Sequence, residues 1–336
     1  MTKTRLIDRS TIEQLISFEL ANQVVDQTFQ AFGHRHVKNP TKVTLDLGQN
    51  SIWPAYHGYM NAMPAYIKTD TLDIAGLKWV GGFDGKRKAA GFPYINGLIL
   101  LIDPQMGTFE AILDGSLITN YRSGSQSAVS LKYLGFTRNH PFSLGLFGTG
   151  AQASTQVQAL TEWFTIKELK IWDYQTHNIQ DFIKKHQSCI DGPIQIVKEA
   201  KDACDADVII TATKSNHALF QPKDLSGDTI IIPIGSGHEI DNQIIKDADR
   251  IIVDHVAQAL HRGALADAYR TSLIDEDTID TTIGNLAAGN TQIKQLKGLT
   301  LCVPIGMGAL DIALAGTIYQ MACQNELGSI YEFSPF

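Results

Sequence analysis

The sequence lacks the features typical of secreted or nucleic-acid-binding proteins. Its four cysteines, Cys189, Cys204, Cys302 and Cys323, are far apart and form no Cys-x-x-Cys pair, which is typical of free thiols in a reducing compartment. Lys and Arg number 28 against 35 Asp and Glu, a net charge of -7, so there is no basic excess for nucleic acid or anionic lipid. We therefore expect a cytoplasmic protein whose partners are small molecules and a second copy of itself.

Long uninterrupted apolar runs are also missing. The first residues are not followed by the apolar core of a secretory signal, so no such signal is expected. The most apolar stretch, residues 299–322, contains Pro304, Asp311 and three glycines, which fits a buried strand, a turn and a core helix better than a membrane span. The histidines show no metal-ligand spacing, so no metal site is predicted.

The chain is long enough for more than one folding unit. Its 336 residues, 44% hydrophobic and 19% charged, leave room for two domains at about 150 residues each. Apolar residues recur at helical spacing from Ile12 to Phe32. A capping box at Ser10 and Glu13 predicts that this helix begins there and ends near Gly33.

The pattern of apolar residues then changes twice. Residues 37–115 contain short β-branched and aromatic runs, with a hairpin signal across 97–113, and predict an antiparallel sheet. Residues 119–133 predict a helix. Beyond Phe142, apolar runs alternate with helix-like stretches, which indicates a parallel sheet with helices on both faces. The predicted strands of this sheet are 143–147, 169–172, 194–197, 208–212, 229–234 and 251–253.

A glycine-rich motif follows the first of these strands. Residues 148–153 fit G-x-G-x-x-A, in which the glycines allow a sharp turn and close approach to a pyrophosphate at a helix N-terminus. The next strand ends at Asp173, about 20 residues on, where a carboxylate accepts hydrogen bonds from ribose hydroxyls. No arginine adjoins Asp173 to balance a 2′-phosphate, so NAD is predicted over NADP. The alternative is that the glycines only relieve crowding in a turn.

The order of several motifs resembles the ornithine cyclodeaminase/μ-crystallin family. The matching segments are 63–66, 76–80, 114–123, the glycine loop and 306–311, so the resemblance spans nearly the whole chain. It implies a homodimer formed through the antiparallel-sheet domain, and hydride transfer at a carbon bonded to nitrogen. The predicted fold class is α/β, with a Rossmann doubly wound sheet in 121–307 and a substrate-binding and dimerisation domain in 1–120 plus 308–336.

The resemblance also implies the residues of the site. Lys78 matches the family's active-site lysine, and near other cations it would titrate lower than in water. Arg122 offers a planar fork to a substrate carboxylate, and Lys42 stands where many relatives have an arginine for the same purpose. The alternatives are an outward-facing strand lysine and a surface arginine. The predicted cofactor contacts are Arg122, Ser123, Gly148, Thr149, Gly150, Ala151, Gln152, Asp173, Thr211, Gly235 and Met307.

Residues 235–241 depart from the cyclodeaminase pattern. Cyclodeaminases place a catalytic aspartate two residues after the glycine that matches Gly235, and here that aspartate is missing and the loop is shorter. His238 is the nearest group that titrates around neutral pH. It is either catalytic or a loop residue that caps the next helix or faces solvent. Asp311 is either a charge at a helix N-terminus or a residue lining the pocket.

Together these features predict an NAD-dependent oxidoreductase acting on the C–N bond of a small amino or imino acid. The expected activity is imine reduction or amino acid dehydrogenation. Lys78 and His238 are expected to donate or accept the proton that accompanies the hydride. One alternative is an ornithine cyclodeaminase, which the missing aspartate disfavours. The other is a non-catalytic, crystallin-like dinucleotide-binding protein.

Overall fold

A computed structural model describes residues 2–235, 237–293 and 295–334. The chain divides into two compact units. The first contains the residues up to Arg122 and those from Met307 onward, and the second is Ser123–Gly306. The chain therefore passes between the units twice.

The strands and helices of the described residues follow in chain order. The strands are β1 (Thr2–Ile7), β2 (Val37–Lys38), β3 (Val43–Leu47), β4 (Gly58–Lys68), β5 (Asp73–Phe83), β6 (Ile95–Ile102), β7 (Phe109–Asp114), β8 (Phe142–Phe147), β9 (Ile166–Trp172), β10 (Ile194–Ile196), β11 (Val208–Thr211), β12 (Thr229–Pro233), β13 (Arg250–Val253), β14 (Thr281–Thr282), β15 (Leu299–Val303) and β16 (Ser329–Ser334). The helices are α1 (Arg9–Leu15), α2 (Phe18–Gly33), α3 (Gly85–Ala89), α4 (Gly115–Tyr133), α5 (Ala151–Trp163), α6 (Ile179–His186), α7 (Asn242–Asp247), α8 (Val256–Ala259), α9 (Ala266–Arg270), α10 (Ile283–Ala287) and α11 (Gly308–Gln324).

The N-terminal helical segment is two helices, not the one predicted. Asp8 caps α1, because its side chain accepts a hydrogen bond from the Thr11 N–H at 2.9 Å. Ser17 caps α2 after a short extended break. The predicted capping box at Ser10 and Glu13 is therefore wrong. An aspartate is as good a cap as a serine, and the apolar period continues across the break, so the pattern did not reveal it.

The sheet of the first unit has the order β16-β1-β7-β6-β5-β4-β2, with β3 paired to β4. The pairs β4–β5, β5–β6 and β6–β7 are antiparallel, and the hairpin predicted across 97–113 is confirmed as β6 and β7. β1, which precedes the predicted region, pairs in parallel with β7. The sheet as a whole is therefore mixed.

Helix α11 covers the inner face of this sheet and packs against α2, β4, β5 and β6. Side chains alternate along β5, so Lys78 and Val80 are buried whereas Trp79 is exposed. A Cβ at Gly308 would lie 2.8 Å from the Met63 carbonyl oxygen. Glycine at this position therefore lets the first turn of α11 approach the strand that pairs with Lys78.

The second unit contains a parallel sheet with the order β10-β9-β8-β11-β12-β15-β13-β14. Each neighbouring pair among the described strands is parallel. The chain proceeds outward from β8 to β10 and then returns to β11, so the strand order reverses between β8 and β11. Open α/β sheets bind ligands at the carboxyl ends of the strands at such a point. The predicted fold class, a doubly wound parallel sheet with a second sheet domain, is confirmed.

The apolar stretch 299–322 contains β15 and most of α11, which are separated by a turn. Across the part of the chain that the structure describes, no helix has both the length and the apolar content that a bilayer span requires.

Candidate active site

Lys78 is a charged side chain in the core of the first unit. It is 1% exposed, because the alternation of β5 turns it inward. Its Nζ lies 2.7 Å from Asp311 Oδ2 and 3.2 Å from Thr119 Oγ1. The alternative of an outward-facing strand lysine is therefore wrong.

Asp311 joins Lys78 to a second cation. It is fully buried in the first turn of α11, where a helix N-terminus favours negative charge. Its Oδ1 accepts a hydrogen bond from Arg122 Nε at 3.1 Å. Asp311 is thus a first-turn acid and also the counter-ion of two cations. Arg122 is itself buried, which excludes the alternative of a surface arginine.

The surroundings of Lys78 bring its titration close to neutrality. Burial lowers the pKa of Lys78 from its ordinary value to about 7. The Asp311 carboxylate opposes this change, and the positive charges of Arg122 and Lys42 add to it. Lys42 is half-buried just before β3. Near pH 7 Lys78 can therefore either hold or release a proton, whereas an ordinary lysine stays charged.

The glycine loop joins β8 to α5 in the second unit. Gly148 has a φ of 97°, a left-handed conformation that favours glycine, and a Cβ there would lie 2.8 Å from the Ala212 carbonyl oxygen. Gly150 is the N-cap of α5, and a Cβ there would meet no atom within 4 Å. The predicted residues Ala151 and Gln152 form the first turn of α5. The loop therefore leaves space in front of a helix N-terminus.

Asp173 is fixed to this loop. Its Oδ2 accepts hydrogen bonds from the Thr149 N–H at 2.8 Å and from the Thr149 hydroxyl. Its Oδ1 accepts from the Gln175 N–H at 2.8 Å. A carboxylate has about four lone-pair sites, so these bonds orient Asp173 and leave capacity for a further donor.

Two other predicted cofactor residues lie where the chain passes between its units. Ser123 is buried on α4, and its carbonyl oxygen accepts a hydrogen bond from Gln156 Nε2 at 3.1 Å. Met307 is fully buried and is the N-cap residue of α11. Cofactor contacts by either residue stay predictions.

Glu239 is a buried carboxylate that sequence reasoning missed. It accepts hydrogen bonds from the Thr211 hydroxyl at 2.9 Å, from the Thr213 N–H at 2.8 Å and from the Thr213 hydroxyl. Burial raises its pKa, and these bonds act in the opposite direction. A Cβ at Gly235 would lie 2.1 Å from Glu239 Oε2. Glu239 therefore contacts both the segment after β11, at Thr213, and the segment after β12, at Gly235. The available signal was an acid shortly after the glycine that follows a buried strand.

His238 does not cap the next helix. Asp241 caps α7, because its side chain accepts a hydrogen bond from the Gln243 N–H at 2.7 Å. His238 is half-buried and borders a cavity of about 620 Å³ in the second unit, with His261 and Arg270 among its lining residues. The capping alternative is therefore wrong, and the catalytic role of His238 stays a prediction.

Sequence comparisons identify relatives along the whole chain. The family model described as the Ornithine cyclodeaminase/mu-crystallin family matches residues 2–326. The alanine dehydrogenase of Archaeoglobus fulgidus is 29% identical over 98% of this chain and 99% of its own. The Delta(1)-pyrroline-2-carboxylate reductase of Bacillus cereus is 27% identical over 78% of this chain and 82% of its own.

A solved structure has the same fold. It is an archaeal alanine dehydrogenase, described as a dimer with bound NAD, and it matches with a TM-score of 0.89 at 28% identity. The match covers 99% of this chain and 100% of that one. Because the family model matches nearly the whole sequence, this chain belongs to the ornithine cyclodeaminase/mu-crystallin family.

Proposed function

We propose that this chain is an NAD-dependent oxidoreductase that acts on the C–N bond of a small amino or imino acid, as an imine reductase or an amino acid dehydrogenase. The observation that carries the proposal is the buried cluster of Lys78, Arg122 and Asp311, in which the pKa of the lysine is about 7. Family membership and the similarity to an alanine dehydrogenase and a pyrroline-carboxylate reductase support the same class of reaction.

The second unit is proposed to bind the dinucleotide. The open space at Gly150, in front of the first turn of α5, fits a diphosphate. Asp173 is oriented to accept hydrogen bonds from the adenosine ribose, and it would repel a 2′-phosphate, which favours NAD over NADP. When bound, the nicotinamide supplies or accepts the hydride. The residues of this unit proposed to hold the cofactor are Ser123, Gly148, Thr149, Gly150, Ala151, Gln152, Asp173, Thr211 and Gly235. Arg122 and Met307, which adjoin this unit in the chain, are proposed as further contacts.

The first unit is proposed to bind and protonate the substrate. Arg122, together with Lys42, holds the α-carboxylate, because a guanidinium fork suits a carboxylate. In the reductive direction Lys78 donates a proton to the imine nitrogen, which makes the carbon electrophilic enough to accept a hydride, and the amine forms. In the oxidative direction neutral Lys78 takes up the proton that the amine releases. His238 is proposed as a second proton carrier.

Neither alternative function has a specific observation in its favour. Ornithine cyclisation is not proposed, because residues 235–241 lack the catalytic aspartate of cyclodeaminases. A non-catalytic binding protein would have no use for a buried lysine, arginine and aspartate, because removing these charges from water costs free energy.

The proposal is tested by a substrate screen followed by NADH absorbance. Small amino acids are offered with NAD, and pyruvate with ammonia or methylamine, and cyclic imino acids, are offered with NADH. We expect turnover with at least one pair and weaker binding of NADPH than of NADH. Binding of NADH without any turnover would favour the non-catalytic alternative, and tighter binding of NADPH would contradict the assigned cofactor.

A single substitution separates binding from catalysis. We expect Lys78→Ala to abolish turnover and to leave the Kd for NADH largely unchanged, because Lys78 lies in the first unit and the glycine loop in the second. Retained turnover would remove Lys78 from the mechanism. A pH-rate profile of His238→Ala that matches the wild-type profile would likewise remove His238.

The chain is also proposed to form a homodimer. The outer face of the first sheet exposes Val43, Trp79 and Leu98, which lie in one cross-strand row with Ala62. A contiguous exposed apolar surface is typical of an interface, and the archaeal relative described as a dimer supports self-association. The four cysteines are free thiols, which supports a reducing compartment such as the cytoplasm.

A further inference from the structure

Asp254 is a buried carboxylate outside the cluster around Lys78. It directly follows β13 in the second unit and is fully buried. Its Oδ2 accepts two hydrogen bonds, one from Gln126 Nε2 at 2.7 Å and one from the Gly306 N–H at 2.6 Å. A buried donor that loses its acceptor costs free energy, so both donors depend on this one oxygen. Asp254 therefore holds both donors firmly.

The two donors lie beside the two places where the chain passes between its units. Gln126 follows Arg122 by one turn on α4, and the chain enters the second unit directly after Arg122. Gly306 is the last residue before the chain leaves that unit. Its φ of 88° is a left-handed conformation that favours glycine. One carboxylate thus fixes both connecting segments.

The same two segments carry the ion pair of the proposed active site. Arg122 and Gln126 lie on one face of α4, since residues four apart in a helix are neighbours. Asp311 lies in the first turn of α11, which begins at Gly308, shortly after Gly306. Any rotation of α4 at Gln126 also moves Arg122, because the helix is continuous. A shift of the segment at Gly306 likewise moves the start of α11.

We propose that Asp254 is a positioning residue for Arg122 and Asp311. It acts through the Gln126 side chain and the Gly306 N–H, and it keeps Arg122 Nε within hydrogen-bond distance of Asp311 Oδ1. The part of this proposal that concerns substrate binding rests on the proposed function. What the role requires is an acceptor oxygen at Oδ2. Among the described residues, Oδ1 has no hydrogen-bond partner, so an amide nitrogen can replace it without breaking either bond.

The test compares variants that remove or keep this acceptor. Asp254→Ala removes it, Gln126→Met removes one donor at similar volume, and Asp254→Asn keeps an oxygen in place. Ser125→Ala, a buried position on α4, is the matched control. The measurements are KM and kcat for the amino or imino acid, Kd for NADH, and the Arg122–Asp311 distance in a crystal structure of each variant.

We expect Asp254→Ala and Gln126→Met to raise KM about tenfold or more, with a smaller change in kcat, because misplacing a binding group by about one ångström is costly. In both variants the distance from Arg122 Nε to Asp311 Oδ1 lengthens beyond about 3.5 Å, which is outside hydrogen-bond range. Kd for NADH rises less than KM, since most of the proposed cofactor contacts lie in the glycine loop and at Asp173, outside the two displaced segments. Asp254→Asn and Ser125→Ala keep the wild-type KM and the wild-type distance.

Several results would overturn the proposal. One is a lower unfolding midpoint in Gln126→Met with unchanged KM and distance, which would indicate a merely structural role. Another is a rise of KM in Asp254→Asn or in Ser125→Ala that is as large as the rise in Asp254→Ala. If Asp254→Ala does not fold, Gln126→Met decides alone. If the wild-type protein turns over no substrate, the proposed function fails, but the distance measured in the crystals still decides whether Asp254 positions the ion pair.

Discussion

Lys78 is expected to set the pH dependence of catalysis. Its pKa is lowered to about 7, chiefly by burial. In the reductive direction the charged form is the proton donor, so kcat/KM falls about tenfold per pH unit above roughly pH 7. In the oxidative direction the neutral form is the acceptor, so kcat/KM rises up to about pH 7 and then levels off. Initial rates measured in both directions across neutral pH check these opposite signs.

Lys78→Arg is the matched control for this profile. A guanidinium stays protonated throughout the range, so any residual activity of the variant loses the change near pH 7. A wild-type profile that is flat around neutrality would contradict the assignment, as would a variant that keeps the wild-type inflection.

Asp311 is expected to raise the pH at which Lys78 releases its proton. Its carboxylate raises the pKa of Lys78, so in Asp311→Asn the fall of the reductive rate moves to lower pH. Removing one partner of a buried ion pair costs about 3–5 kcal/mol, and proton release from Lys78 recovers part of this loss of stability. A pH-rate profile and urea unfolding measure the two effects. Glu332→Gln, at an exposed position of the same unit, is the control, and an unchanged profile with wild-type stability in Asp311→Asn would contradict the prediction.

At the level of single residues, the sequence identified members of the buried cluster better than their environments. Lys78 and Arg122 matched a motif, and the strand alternation that buries Lys78 was visible in its neighbours. That Asp311 pairs with both cations was not predictable, because this contact joins residues far apart in the chain. Glu239 was missed for the same reason, since its donors lie on another strand and in the segment that follows it.

The two glycines of the loop between β8 and α5 are expected to serve different purposes. A Cβ at Gly148 would crowd the Ala212 carbonyl oxygen, and φ is left-handed there, so Gly148→Ala lowers the free energy of unfolding by about 1 kcal/mol or more. A Cβ at Gly150 meets open space, so Gly150→Ala keeps nearly wild-type stability. It raises the Kd for NADH about tenfold or more, because the methyl group occupies the space proposed for the diphosphate.

Thermal unfolding and NADH fluorescence titration separate the two variants. Each glycine is the control for the other, since they lie two residues apart in one loop. Wild-type NADH affinity in Gly150→Ala would show that the open space holds no diphosphate, and the glycine at 148 would then only relieve crowding in the turn.

The secondary structure was predictable where the local pattern decides it. The alternating strands of the second unit and the hairpin of β6 and β7 follow from short apolar runs and turn residues. The break between α1 and α2 was not predictable, because both helices keep one apolar period across it. The parallel pairing of β1 with β7 was also beyond reach, since register between distant strands depends on tertiary packing.

At the scale of the whole molecule, the exposed row of Val43, Trp79 and Leu98 makes a test of self-association possible. In a two-fold dimer the same patch meets itself, so Trp79→Lys places like charges against each other in an apolar interface. We expect the mass in light scattering to change from twice the chain mass of 36.9 kDa to a single chain. Met106→Lys, at an exposed apolar position in the turn between β6 and β7, is the control and stays dimeric.

Charge complementation then identifies the interface itself. Trp79→Glu alone is expected to be monomeric for the same reason, whereas an equimolar mixture of Trp79→Lys and Trp79→Glu pairs opposite charges across the two-fold axis and regains the dimer mass. If the two variants were monomeric only because they had unfolded, mixing them would not restore the dimer mass. A dimer that survives Trp79→Lys, or a mixture that stays monomeric although both variants are folded, would place the interface elsewhere on the chain.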